Sequence, residues 1–255
     1  MPESDISGSR RQGILSGLFS LTAKVKTMSP FEKKLAALDQ INVIYDEFMA
    51  TLDLACEKDC AHCCTDSVSL TTLEGYKIVE RLIADGKSEV IEQIQTASVA
   101  KRFKPKITTN QLADLCIAGI EPPDEERPEK AHPCPLLKDR QCPLYIVRPF
   151  GCRCLVSRHD CGEKGYAEMD DFVLSVNTVF LQTIEHLDLH GCTGNLIDVL
   201  MALYSEENRR AYRDNLLTCH TAGLIPNRPL KVLMVPPEHR ESVRPILQKL
   251  QQISL

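Results

Sequence analysis

Four cysteines fall within nine residues, Cys56, Cys60, Cys63 and Cys64, in the run C-E-K-D-C-A-H-C-C. A second stretch holds Cys134, Cys142, Cys152, Cys154 and Cys161. Thiolates at such spacings gather soft donors in a small volume, which suits a soft or borderline metal or an iron–sulfur cluster. Cys60 and Cys63 form a C-x-x-C pair, whose turn aims two sulfurs at one centre while backbone N–H groups stabilise their charge. Cys56 stands one helical turn before Cys60 and can join the pair. Cys63 and Cys64 are neighbours with diverging side chains, so Cys64 belongs to another face of a cluster, to a second site or to the core. The second stretch must supply the remaining ligand. The expected ligand core is therefore Cys56, Cys60, Cys63 and Cys152, with Cys134 and Cys142 the next candidates.

The residues around the second set fit that chemistry. Cys134, Cys142 and Cys152 sit in H-P-C-P-L-L, Q-C-P-L-Y and R-P-F-G-C-R. Prolines reduce the entropy lost when a metal organises a loop. Arg148 and Arg153 are placed to offset thiolate charge, although exposure is the ordinary state of an arginine. His62 and His132 could replace a thiolate at a zinc ion; because the thiols already fill a coordination sphere, solvated loop histidines are the simpler reading. Asp170 and Asp171 read as stabilisers of a helix N-terminus rather than an acid–base pair. Cys116, Cys192 and Cys219 lie in apolar stretches and read as buried structural thiols.

The order C-x-x-x-C-x-x-C-C, then C-P-L-L, then C-P-L-Y-x-x-R-P-x-x-C-R resembles the YkgJ-type cysteine-cluster family, described as zinc- or iron-chelating and often as iron–sulfur proteins. The resemblance spans residues 56–153 and places Cys56, Cys60, Cys63, Cys64, Cys134, Cys142 and Cys152 at the family's cysteine positions. Glu74, in a T-x-x-E setting, matches as well, whereas Cys154 and Cys161 stand outside the pattern. The same signature resembles part of the flagellin lysine-N-methylase group, whose members are thought to combine a cluster with S-adenosylmethionine. This chain has no glycine-rich nucleotide motif to match. Zinc closes a tetrahedron with four ligands, and seven cysteines exceed that. The surplus favours an iron–sulfur cluster, [4Fe–4S] in type, with further redox or second-site thiols, or two metal sites.

The elements that must carry these loops are mostly helical. Ser29-Pro30-Phe31-Glu32 is a capping box with proline at the first helical position. Phe31, Leu35, Leu38, Ile41, Tyr45, Phe48 and Leu52 then mark one apolar face leading to Cys56. A second capping box, Thr71 to Glu74, starts a helix that Gly86 can end. Further helices are expected over 88–102, 110–118, 143–147, 170–191, 196–203 and 206–217, with a last amphipathic one carrying Val243, Ile246, Leu247 and Leu250. A short C-terminal strand is expected over 230–235. The fold class is thus mainly α: a helical scaffold holding two irregular cysteine-rich loops, organised as a single domain over 29–255 behind a flexible basic arm over 1–28.

Composition narrows the function. A net charge of −5 across 255 residues argues against general nucleic-acid binding. No run of apolar residues is long enough for a transmembrane helix. Arg10 and Arg11 precede a short apolar run as in a twin-arginine signal, but Lys24 and Lys26 stand where a cleavage site would need small residues. The expected location is therefore cytoplasmic, where thiols stay reduced. Three classes of function remain: a metal- or cluster-binding protein acting in metal handling or electron transfer, a cluster-containing enzyme resembling the lysine-N-methylases, and a zinc-stapled module for a protein partner.

Overall fold

Both helices that flank the first cysteine loop begin at reciprocal caps. Glu32 N–H donates to Ser29 Oγ at 3.1 Å while the Glu32 carboxylate accepts Ser29 N–H at 2.7 Å, starting α1 (Pro30–Met49). Thr71 and Glu74 repeat the arrangement at the start of α2 (Thr72–Ala84). In the computed structural model the described residues are 28–58, 60–125 and 132–254, so all of the expected arm except Met28 lies outside them. Between the two caps the chain passes through the cysteine loop and β1 (Ser69–Thr71). Beyond α2 come α3 (Ser88–Ala97), α4 (Thr109–Ala118), α5 (Phe150–Arg153), α6 (Cys161–Lys164), α7 (Asp171–Leu187), β2 (Cys192–Asn195), α8 (Leu196–Tyr204), α9 (Glu206–Arg213), β3 (Ile225–Pro226) and α10 (Arg240–Gln251). The fold is mainly α: among the described residues, ten helices surround one small sheet.

That sheet departs from the expected pattern. It runs β1-β2-β3, antiparallel throughout, with Ser69 opposite Asn195 and Cys192 opposite Pro226. The strand expected over 230–235 does not form. The Gln182 side chain takes its backbone groups instead, donating to Val232 O at 2.8 Å and accepting Met234 N–H at 2.9 Å. The helix expected to reach residue 102 stops at Ala97, where the Arg102 guanidinium turns back onto the carbonyls of Ala97 and Ser98. Such a bond satisfies orphan carbonyls at a helix end. Residues 143–147 tighten to one 3₁₀ turn, Tyr145–Val147. Gly86 ends α2 with positive φ, as expected, and Gly119 does the same for α4.

Two buried assemblies hold the layers together. Tyr45 on α1, Phe150 on α5 and Phe180 on α7 meet with ring centroids 4.7 to 5.6 Å apart. Burying a side chain such as Phe150 contributes about 2 kcal/mol, so this cluster fastens the second cysteine loop to the scaffold. The Tyr45 hydroxyl donates to Asn177 Oδ1 at 2.7 Å, and Asn177 Nδ2 donates to Cys154 O at 3.1 Å. The other assembly centres on Asp188, which accepts from Thr72 Oγ1, Leu73 N–H, Tyr212 Oη and Asn227 Nδ2. Burial pushes its carboxyl up to about 6 against the bonds from Tyr212, Thr72 and Leu73.

Three cysteines depart from the buried-thiol reading. Cys192 and Cys219 form a disulfide that ties β2 to the turn before β3. Cys116 lies exposed on α4. The sequence pattern could not pair Cys192 with Cys219, because the contact depends on the β2–β3 register.

Candidate metal centre

The first cysteine loop leaves α1 and immediately meets the segment after α5. Ala55 N–H donates to Ser157 O at 3.0 Å, and Ser157 N–H donates to Cys56 Sγ at 3.2 Å. Cys63 Sγ lies 3.9 Å from Leu155 O on the same segment. The next residue turns the other way: Cys134 N–H donates to Cys64 O at 2.9 Å, and Thr65 bridges to Pro133. Cys63 thus meets one wall through its sulfur and Cys64 the other through its backbone carbonyl, but the side chains expected to diverge are hydrogen-bonded to each other. Two polar ties hold the loop's exit. Asn195 Nδ2 donates to Asp66 O at 2.7 Å, and His132 Nδ1 lies 3.1 Å from Asp66 Oδ2.

The second loop is positioned by Glu74. Its carboxylate, buried under the capping box, also accepts Phe150 N–H at 2.6 Å, which sets the start of α5 and hence the direction of Cys152. Gly151 has no room for a side chain. A Cβ there would sit 2.6 Å from Ser69 O, so α5 lies directly on the backbone of β1. Each C-P-L turn directs an amide at sulfur: Leu136 N–H faces Cys134 and Leu144 N–H faces Cys142. These contacts lower the thiol pKa, although burial pushes both thiols up overall.

Cys56, Cys60, Cys63, Cys64, Cys134, Cys142 and Cys152 all line one cavity of about 450 Å³. Tyr45, Asp46, Arg140, Arg148 and Arg153 share its wall, and Leu52, Val68, Leu136, Leu144 and Leu196 supply apolar surface. The volume falls within the range of small-ligand sites. His62 and His132 are absent from that lining; His132 pairs with Asp66 instead. Cys154 turns away toward Gly151 O, and burial pushes its thiol up to about 12. Cys161 is also absent from that lining, and its neighbour Gly162 has its α-carbon against the His62 ring. Asp170 is the N-cap residue of α7, where its carboxylate pairs with Arg158 rather than a helix N–H.

Electrostatics divide the thiols further. The hydrogen bond from Cys63 to Cys64 pushes the Cys63 thiol up and lowers that of Cys64, so Cys64 is the member of the pair that ionises first. Burial pushes Cys152 well up, with Cys134 and Cys142 adding to the effect. Arg148 counters this, its charge favouring the thiolates of both Cys63 and Cys142 while the guanidinium stacks 4.1 Å over the Tyr145 ring. The Nε atoms of Arg148 and Arg153 are buried without a hydrogen-bond partner among the described residues. Buried cationic donors left unspent beside a thiol-lined cavity suit a negatively charged centre.

The donor set therefore fits a thiolate-ligated metal or cluster in chemistry. In geometry it is open: among the described residues, no three His, Cys, Asp or Glu side chains are arranged to hold one ion. Sequence reasoning missed Tyr45 and Asp46 as site residues; they reach the cavity by helix packing and carry no local motif. No family model, curated protein or solved structure matches the chain.

Proposed function

We propose that the chain is a metal-binding protein whose split cysteine cluster holds an iron–sulfur centre, [4Fe–4S] in type, and acts in metal handling or electron transfer. One observation carries the reading: seven cysteines from two loops, with 69 residues between Cys64 and Cys134, line a single cavity beside unspent arginine donors. The order of the cysteines, which resembles the YkgJ-type family, supports the same conclusion.

When bound, such a centre supplies one-electron redox chemistry at a potential set by charge, hydrogen bonds to sulfur and solvent exposure. The chain supplies the last three. Amides of Ser157, Leu136 and Leu144 face sulfur, Arg148 adds positive charge, and the leucines exclude water. A cavity of about 450 Å³ is far larger than one ion needs, which favours a cluster over a zinc staple. Among the described residues no helix is long and apolar enough to cross a membrane. We keep a cytoplasmic location within the proposal because ten free thiols accompany the single disulfide. Anaerobic purification with elemental analysis for iron, zinc and sulfide tests the reading. Iron with equimolar sulfide supports it, stoichiometric zinc without sulfide supports the staple instead, and metal-free protein overturns both.

A further inference from the structure

We propose that a cleft on the outer side of Arg148 and Arg153 is a second ligand site. Its ligand is a small aliphatic acid with an N–H or O–H donor beside the carboxylate, the chemistry shared by aliphatic α-amino and α-hydroxy acids. The cleft holds about 310 Å³ between α1, the start of α2 and the turn Tyr145–Val147, which is enough for a small molecule. No cysteine lines it; Asp46, Arg148, Pro149 and Arg153 form the partition and line both the cleft and the thiol cavity. The proposal stands whether or not the thiols hold a metal.

The polar groups around the cleft pair off unevenly. Lys77 is bonded to Asp39, and Arg153 to Asp46. The Glu74 carboxylate is spent on Thr71 and Phe150. Arg148 has the Tyr145 ring, and no carboxylate among the described residues lies within ion-pair distance of it. Three side-chain atoms on the lining residues are then buried without a hydrogen-bond partner: Arg148 Nε, Arg153 Nε and Asn42 Oδ1. Among the described residues the other two such atoms belong to Arg102 and Asp198, which pair with each other elsewhere.

Those three atoms define what a ligand must bring. Two guanidinium N–H groups need an acceptor, and one amide oxygen needs a donor. A carboxylate answers the first with a charge-assisted bond to each arginine, and an amino or hydroxyl group next to it answers the second. A guanidinium has five N–H donors, so an arginine in the partition can serve the thiol cavity and the cleft together. The three atoms lie beneath the cleft surface, and a bound molecule reaches them through a change of rotamer, which is common on binding. Leu38, Val43, Ile146 and Val147 supply the apolar walls. Val43 is 55% exposed and Ile146 81%, and an aliphatic body seated in the cleft would cover both.

Equilibrium dialysis of the full-length chain as purified tests the site, with L-leucine and α-hydroxyisocaproate as probes. Isocaproate, which lacks the donor, and leucinamide, which lacks the carboxylate, are the controls. One equivalent of leucine or of α-hydroxyisocaproate is expected to bind, the tighter of the two naming the source, and both controls should bind at least about tenfold more weakly. Asn42→Ala, on a residue that lines the cleft and not the thiol cavity, should weaken the bound acid about tenfold. Val43→Trp, which fills the cleft from its exposed rim, should abolish binding. Iron and sulfide measured in the same samples bear only on the metal reading and should not change in either variant. Failure of both acids to bind at millimolar concentration overturns the proposal, as does equal binding of either control. Unchanged affinity in Asn42→Ala also overturns it, and that variant carries the test alone should Val43→Trp fail to fold.

Discussion

Replacing Glu74 with alanine should damage both the fold and the site, because one carboxylate serves both. Glu74 accepts Phe150 N–H at 2.6 Å, and Thr71 N–H and Thr71 Oγ1 at 2.9 Å each. Leaving a buried amide unpaired costs about 1–3 kcal/mol, and two amides are orphaned; the threonine hydroxyl can rotate to another acceptor. The N-cap itself survives, because Thr71 Oγ1 still accepts the backbone N–H of residue 74. Against the two orphaned amides, burial raises the Glu74 pKa, so removing the carboxylate also relieves a desolvation penalty. A net loss of about 3 kcal/mol results once that relief is subtracted. Urea unfolding at pH 7 should show a lower midpoint at unchanged slope. Glu74→Gln, which keeps one acceptor but turns an NH₂ toward a donor, should fall between the two. Because Phe150 N–H sets α5, Cys152 in Glu74→Ala should react faster with a thiol reagent, and metal content should drop. A stability change below 1 kcal/mol, or a large loss of stability with Cys152 reactivity unaltered, would refute the linkage of cap to site.

Other expectations follow from single contacts. Gly151→Ala gains about 1 kcal/mol of helix propensity at most but overpacks against Ser69 O, at about 1–3 kcal/mol; the clash should win, lowering the melting temperature by a few degrees, and a rise would show that β1 yields. The Cys192–Cys219 bridge closes a 27-residue separation, worth about 3.5 kcal/mol in the chain-entropy account, so Cys219→Ser should be less stable than wild type in oxidising buffer and equal to it in reducing buffer. Asp188 holds a proton in the fold that the unfolded chain releases, its carboxyl standing at about 6 against an ordinary 3.8. The native state thus binds more protons in that window, and this carboxyl's contribution to stability falls as pH rises from 3.8 through about 6, by roughly 3 kcal/mol in all. Asp188→Asn should remove that slope in urea titrations from pH 3 to 7; a stability difference from wild type that does not change with pH would refute it.

The parts of the fold written in neighbouring residues were legible, and those decided across the chain were not. Both capping boxes are four-residue patterns, and each starts its helix where the pattern stands. The strands are short and carry no alternation of their own; β1 pairs β2 across more than 120 residues. Leu230 to Val235 has a strand's composition, yet a glutamine side chain occupies its hydrogen-bonding groups. Adjacency suggested that the Cys63 and Cys64 side chains diverge, whereas the fold of the turn leaves them hydrogen-bonded to each other. The contribution of Glu74 to α5 and the approach of Gly162 to His62 are tertiary contacts with no local signal.

The central claim is that the thiol-lined cavity holds a metal centre, and the most direct measurement is the iron, zinc and sulfide content of anaerobically purified protein, wild type beside Cys60→Ser. The account predicts iron with equimolar sulfide and broad visible absorbance in the wild type, with both sharply reduced in Cys60→Ser. Wild-type protein that is colourless and free of metal, or a Cys60→Ser variant at full occupancy, would contradict it.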